Sequence, residues 1–403
     1  MNSVTGRLIE VFGSFLKLGL ISFGGPVAHL GYFREEFVTK RRWLDDEAYA
    51  DLVALCQFLP GPASSQVVFA LGKQRAGLIG AFLASVCFTL PSAVLMILFG
   101  YGVTAIGDLQ QAGWLHGLKL AAVAVVAQAV WGMGQKLCPD RARFTLALAA
   151  AAFILIVPHA VSQVAVIGIG ALVGWWLYRG DIQTGTVAEA GMHRGHVWAA
   201  VTLVMVVVLL VVLPVLAKMT GQKNIAVFDS FFRAGSLVFG GGHVVLPLLR
   251  AEVVPTGWVG DDAFLAGYGA AQAVPGPLFT FSSYLGTVIE RDGVAWAGGL
   301  WCLLAIFLPA WMLIGGALPF WHLLRSKVWT QAALRGANAA VVGVLLAAFY
   351  NPVWTEGVVH AKDVATVFVA FAMLTLWRVP PWLVVVFCAV VGQWVLPRNG
   401  ENF

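Results

Sequence analysis

Apolar residues fall in long runs along this chain, parted by short polar stretches, rather than in the alternating or three-to-four periodicities of water-facing elements. A helix needs about 20 apolar residues to cross the ~30 Å hydrocarbon core of a bilayer. On that template the sequence predicts an all-α polytopic membrane protein. Thirteen segments stand out, near 9–31, 49–71, 77–105, 113–135, 143–158, 160–178, 197–217, 227–249, 263–288, 293–320, 331–350, 362–377 and 381–397. Several carry Pro or Gly inside and are read as half-helices or re-entrant pieces, so ten to thirteen membrane segments with discontinuous helices are expected.

The pattern also repeats. Displaced by 216 positions, Phe12–Glu36 lies over Phe228–Glu252 without a gap, and ten of the 25 pairs are identical, among them Gly24/Gly240, Gly25/Gly241, Arg34/Arg250 and Glu36/Glu252. Displaced by 215, Trp43, Asp46, Gln57 and Pro60-Gly61-Pro62 meet Trp258, Asp261, Gln272 and Pro275-Gly276-Pro277. Matched Gly-Gly, Pro-Gly-Pro and charges in one order do not arise from apolar composition alone. Two homologous halves are expected, 1–180 and 225–403, joined by a linker and connecting helix over 181–224. Seven segments separate the two starts, an odd number, which predicts inverted repeats.

Composition narrows the class. Of 403 residues 60% are hydrophobic and 11% charged, against about a quarter charged in soluble domains. The net charge of +5 is spread over loops, so no nucleic-acid partner is expected. Five widely spaced cysteines form no C-x-x-C pair, and no disulfide framework, metal site or cofactor is predicted. The sixteen tryptophans gather near segment ends, as interfacial belts do.

Three constellations carry candidate chemistry. Ser22–Pro26 (SFGGP) recurs as Val238–His243 (VFGGGH), and Gly24, Gly25, Pro26, Gly240 and Gly241 interrupt apolar spans. Such a break frees backbone groups and aims a helix N-terminus into the membrane; close helix packing is the plain alternative. The paired Pro-Gly-Pro triplets (Pro60, Gly61, Pro62; Pro275, Gly276, Pro277) cannot lie in continuous helix, and Gln57, Gln272 and Ser64 place side-chain donors beside them. Lys17 and Arg233 sit at equivalent positions inside apolar spans, where a charge costs roughly 3 kcal/mol. Two such cations suit a small dianion; ion pairs with Glu10 and Asp229 are the alternative. Arg34 and Arg250 are candidate entrance residues, Glu10 and Asp51 candidate proton carriers, and His243 a candidate ligand or structural histidine.

Taken together, Phe23-Gly24-Gly25-Pro26, Trp43 and Gln57-x-x-Pro60-Gly61-Pro62, with their second-half counterparts, resemble the chromate ion transporter family in its long two-domain form. The second half departs at Gly242, where the first has Pro26. The resemblance implies export of chromate across a bacterial inner (plasma) membrane, chromate resistance, and driving by a proton or ion gradient. Its expected partners are a chromate or sulfate dianion, the lipid bilayer, a coupling proton or ion, and a second copy of the chain. Alternatives are an oxyanion uptake carrier for sulfate and, in another class, a membrane-embedded enzyme acting on lipid phosphate. No Walker A, Ser/His/Asp or H-E-x-x-H pattern supports an enzyme.

Overall fold

The computed structural model describes residues 4–105, 112–157, 160–180, 194–239, 242–290, 293–321 and 328–394, and every regular element among them is helical. The first half comprises α1 (Val4–Ile21), α2 (Gly25–Phe33, continued by a π-helical stretch Arg34–Lys40), α3 (Asp46–Phe58), α4 (Ala63–Ala105), α5 (Gly113–Leu137), α6 (Arg141–Ile156) and α7 (Ala160–Tyr178). A connecting helix, α8 (Arg194–Thr220), leads to α9 (Lys223–Ser236), α10 (Val245–Val253), α11 (Asp261–Ala271), α12 (Phe281–Ile289), α13 (Ala295–Ala317), α14 (Val328–Ala348), α15 (Ala361–Thr375) and α16 (Pro381–Trp394).

Four of the thirteen segments turn back on themselves. After α1 the chain reverses through Gly24 and Gly25, at φ +96° and +74°, values that favour glycine. α2 then returns along α1: the rings of Phe15 and Phe37 lie 4.9 Å apart, and Trp43 Nε1 donates to Glu10 Oε1 at 3.1 Å. α3 enters from the same end, stops at Pro60-Gly61-Pro62, and the first arm of α4 comes back until Arg75 reaches Glu10 at 2.5 Å. The second half repeats this. Arg233 bonds Glu252 across the α9/α10 hairpin at 2.9 Å, and Tyr284 donates to the Ala263 carbonyl across α11/α12 at 2.7 Å. Proline explains the two sharper tips, since it lacks an N–H and clashes with the preceding turn.

Among the described residues the other nine segments show no such reversal. α4 kinks at Ala76 and Gly77, and its second arm, 78–105, packs back on the first: a Cβ on Gly72 would stand 2.7 Å from Ala84 Cβ. This arm and its counterpart α13 lie antiparallel. At one end Lys73 Nζ donates to the Gly315 carbonyl at 3.5 Å; at the other the Trp296 amide donates to Tyr101 Oη at 3.2 Å. α8 starts beside Gly316, near the C-terminal end of α13, and ends where Lys223 meets Ile289 and Glu290. The first-half hairpins therefore enter from one end of the bundle and the second-half hairpins from the other.

Among the described residues five helical stretches are long and apolar enough to cross a bilayer by length and composition: 63–105, 113–137, 197–220, 295–320 and 329–357. In α8 only 11% of the most apolar window is buried, so this helix turns its Val and Leu side chains outward, as a lipid-facing helix does. In the turn before α6, Asp140 caps the helix by accepting the Arg143 amide at 2.9 Å, and that bond holds its carboxyl below the ordinary aspartate range.

Small residues set the closest crossings. α7 and α14 meet at Gly170, Gly174 and Gly336, where a Cβ on Gly336 would stand 2.6 Å from Gly174 Cα. Gly336→Leu is expected to cut membrane abundance and lower the thermal midpoint of purified protein. Gly168→Leu, with nothing within 4 Å of its Cβ position, is expected to be silent. Equal midpoints would show that the crossing tolerates separation.

Candidate functional site

The four hairpin tips converge beside the middle of the two long antiparallel helices. Gly61 donates its amide to the Val238 carbonyl at 2.7 Å, and Gly276 donates to the Ser22 carbonyl at 2.9 Å. These two bonds are equivalent under the repeat: each Pro-Gly-Pro tip caps the helix end that precedes the glycine break of the opposite half. Both glycines have left-handed φ, +115° and +98°. A Cβ on Gly61 would stand 3.2 Å from Ala310 Cβ of α13, and one on Gly276 would stand 2.8 Å from Ser92 Oγ of α4. Ser92 lies fifteen residues past the Gly77 kink, about 22 Å along the arm at 1.5 Å per residue. The tips thus stand near half-depth. Gly242 and Pro26, the position where the halves differ, face each other, with a Gly242 Cβ position 3.2 Å from Pro26 Cγ.

Helices α2, α4, α10 and α12 all begin at these tips, the last two through short 3₁₀ turns at Gly242–Val244 and Leu278–Thr280. Helix N-termini carry partial positive charge and unsatisfied N–H groups, a setting that favours an anion. Around them Ser22 Oγ, His29 Nδ1, Ser65 Oγ, Gln66 Oε1, Gln272 Nε2 and Ser282 Oγ are buried without a hydrogen-bond partner. Buried polar atoms are otherwise almost always satisfied, so this grouping marks where a ligand or water belongs. His29 donates Nε2–H to the Ser22 carbonyl at 3.1 Å; a carbonyl only accepts, so Nδ1 is left as an open acceptor.

The sequence candidates divide. Gly24, Gly25, Pro26, Pro60, Gly61, Pro62, Pro275, Gly276 and Pro277 form the tips, with Ser64 buried in the first turn of α4. Gly240 and Gly241 lie outside the described residues. Gln272 is half-buried at its tip, whereas Gln57, one turn before Pro60, is exposed. His243 meets Tyr268 Oη at 2.8 Å.

The charged candidates are largely spoken for, and here the structure corrects the sequence reading. Lys17 pairs with Glu36 at 3.3 Å rather than with Glu10, and its side chain is 54% exposed. Arg233 bonds both Asp229 at 2.8 Å and Glu252 at 2.9 Å. A dianion placed at Arg233 would meet two carboxylates, so the cation does not serve as a free counter-charge. Arg34 and Arg250 pair with the equivalent acids Asp46 (2.7 Å) and Asp261 (2.8 Å). The repeated charges are thus each other's partners. Glu10 accepts from Arg41, Arg75 and Trp43, the holding pattern of a structural anion rather than a proton carrier. Asp51 is half-buried on α3.

Residues that pattern reading passed over include His29, Arg75 and Gln163, none of which recurs in both halves. The available signal for Glu36 and Glu252 was the repeat itself, because a charge retained beside a retained opposite charge points to a pair.

Two homologous halves, antiparallel long helices and paired broken hairpins define a polytopic membrane protein with the build of a secondary transporter. The family described as Chromate transporter matches residues 9–175 and again 225–393. The chain belongs to that family. It is 30% identical to the chromate transport protein of Pseudomonas aeruginosa over 97% of this chain and 93% of that one. To the probable chromate transport protein of Synechococcus elongatus it is 25% identical over 94% and 93% of the two chains. To the chromate transport protein of Cupriavidus metallidurans the figures are 26% over 85% and 82%. No solved structure matches it.

Proposed function

We propose that this protein is a secondary transporter that exports chromate across a bacterial inner membrane, driven by the proton or ion gradient, and thereby confers chromate resistance. One observation carries the reading: the reciprocal bonds Gly61 to Val238 and Gly276 to Ser22 draw four helix N-termini from both halves to one place near half-depth. A tetrahedral dianion there takes backbone N–H groups at Gly24, Gly25 and the first turn of α4, and side-chain donors from Ser64, Ser65 and Gln272. Lys17, half-exposed and holding Glu36, supplies the balancing charge. The opposed hairpins support an inverted repeat, in which rocking of one half against the other exposes the site to each side in turn.

Chromate content of cells with and without the protein, before and after an uncoupler, tests this. Lower content that the uncoupler abolishes is the expected result. Higher content that sulfate competes away would make it an uptake carrier, and equal content with the protein present in the membrane would remove chromate as substrate.

A further inference from the structure

The equivalent charged clusters of the two halves are built with opposite balance. In the first half one carboxylate, Glu36, accepts from two cations, Lys17 at 3.3 Å and Arg41 at 2.7 Å. In the second half one cation faces two carboxylates: the same nitrogen of Arg233, Nη2, donates to Asp229 Oδ2 at 2.8 Å and to Glu252 Oε2 at 2.9 Å. Asp229 has no acidic counterpart, because the matching first-half position is Gly13. Both acid side chains are largely buried, at 7% and 14% exposure. Two carboxylates meeting at one nitrogen of one guanidinium leave an uncompensated negative charge away from water, and a single bound proton removes it.

The surroundings suit such a proton. A cavity of about 160 Å³ opens on the cluster, lined by Arg233, Glu252 and, from α7, Gln163. One water needs only ~10–15 Å³ of such space. Gln163 is 8% exposed and its Oε1 has no partner, so the wall offers an idle acceptor to a carboxyl that has gained an O–H, or to water carrying the proton. The other groups facing Glu252 are few. Ser230 of α9 donates to it at 3.1 Å, and α14 lines the adjoining cavity with Val344, Ala347 and Ala348. Arg250, on α10 itself, is held by Asp261.

We propose that the Asp229–Arg233–Glu252 cluster is a proton-binding site that couples the carrier to the proton gradient. This rests on the transport reading above. One proton is taken up on a carboxylate oxygen from one side of the membrane and released unchanged to the other, with no redox step. The asymmetry assigns coupling to the second half alone.

The test uses the full-length protein in liposomes, with chromate as the probe. Wild type is expected both to exchange chromate across the membrane at equal pH and to accumulate it under an imposed pH gradient. Glu252→Gln is expected to keep the exchange and lose the gradient-driven accumulation, with Asp229→Asn as the second variant should the first fail to fold. Gradient-driven accumulation that survives in both would overturn the proposal. Infrared difference spectra of purified protein through a pH titration give an answer that does not depend on the substrate. A protonated-carboxyl band present in wild type and missing in Glu252→Gln is expected, and an unchanged band overturns the proposal. Absent chromate exchange in wild type would instead overturn the substrate, leaving the proton site to the spectra.

Discussion

Gly276→Ala is expected to abolish chromate transport while leaving much of the protein in the membrane. At φ +98° an L side chain is strained by roughly 1–2 kcal/mol, and the new methyl would stand 2.8 Å from Ser92 Oγ. Relief comes from turning Ser92 Oγ off its bond to the Thr89 carbonyl or from withdrawing the Pro-Gly-Pro tip from α4, and withdrawal breaks the bond from the Gly276 amide to the Ser22 carbonyl. Losing that bond costs about 1 kcal/mol more and leaves His29 as the remaining donor to Ser22. The total is small against a whole membrane domain, but all of it falls on the place where the two halves meet. Gly61→Ala is expected to act in the same direction and less severely. Its nearest neighbour, Gln66 Nε2 at 3.0 Å, is the end of a flexible side chain that donates to the Pro60 carbonyl at 2.8 Å, although φ is +115°. Adding Ser92→Ala to Gly276→Ala should restore part of the activity. Transport assays normalised to membrane abundance decide the matter, and full activity in Gly276→Ala would detach the tips from the transport path.

Lys17→Ala and Arg233→Ala are expected to differ, although the two positions are equivalent in sequence. Without Lys17, Glu36 still holds Arg41 at 2.7 Å, so the fold is expected to lose no more than ~1 kcal/mol while transport stops. Without Arg233, Asp229 and Glu252 face each other with no cation, and breaking a buried pair of this kind costs about 3–5 kcal/mol. Arg233→Ala should therefore vanish from the membrane. The triple variant Asp229→Asn, Arg233→Ala, Glu252→Gln is expected to return to it, because the uncompensated charges are gone. Abundance measured by quantitative blotting, beside chromate flux, separates the two cases. Equal abundance of both single variants would remove the claim that the second-half cluster is held by its arginine.

Much of the candidate site was legible because helix breakers are local. Pro-Gly-Pro stops a helix, and Gly-Gly stops one where a second breaker stands beside it, so the tips at 22–26, 59–62 and 272–277 coincide with the sequence motifs, whereas Gly298-Gly299 and Gly315-Gly316 stay inside α13. The charge partners were not legible in the same way. Helical spacing offered Asp229 to Arg233 at i, i+4 correctly, but it offered Glu10 to Lys17 at i, i+7, and the structure gives Lys17 to Glu36 and Glu10 to Arg41 and Arg75. Those partners lie across the α1/α2 hairpin or on the neighbouring α4, where packing brings together residues whose separation along the chain carries no pairing signal.

By itself the sequence determined that this chain belongs in a lipid bilayer, that it is built twice over, and where each copy must interrupt its helices. Composition, self-similarity and proline chemistry act on residues one at a time or through near neighbours, so they survive without coordinates. Only the tertiary structure decided that segments 9–31, 49–71, 227–249 and 263–288 turn back rather than cross, and that opposite halves cap each other through Gly61 and Gly276. It also decided that the two charge clusters carry opposite balance. Each of these depends on which helix end meets which carbonyl or carboxylate across the bundle, and that is fixed by packing between elements far apart in the chain.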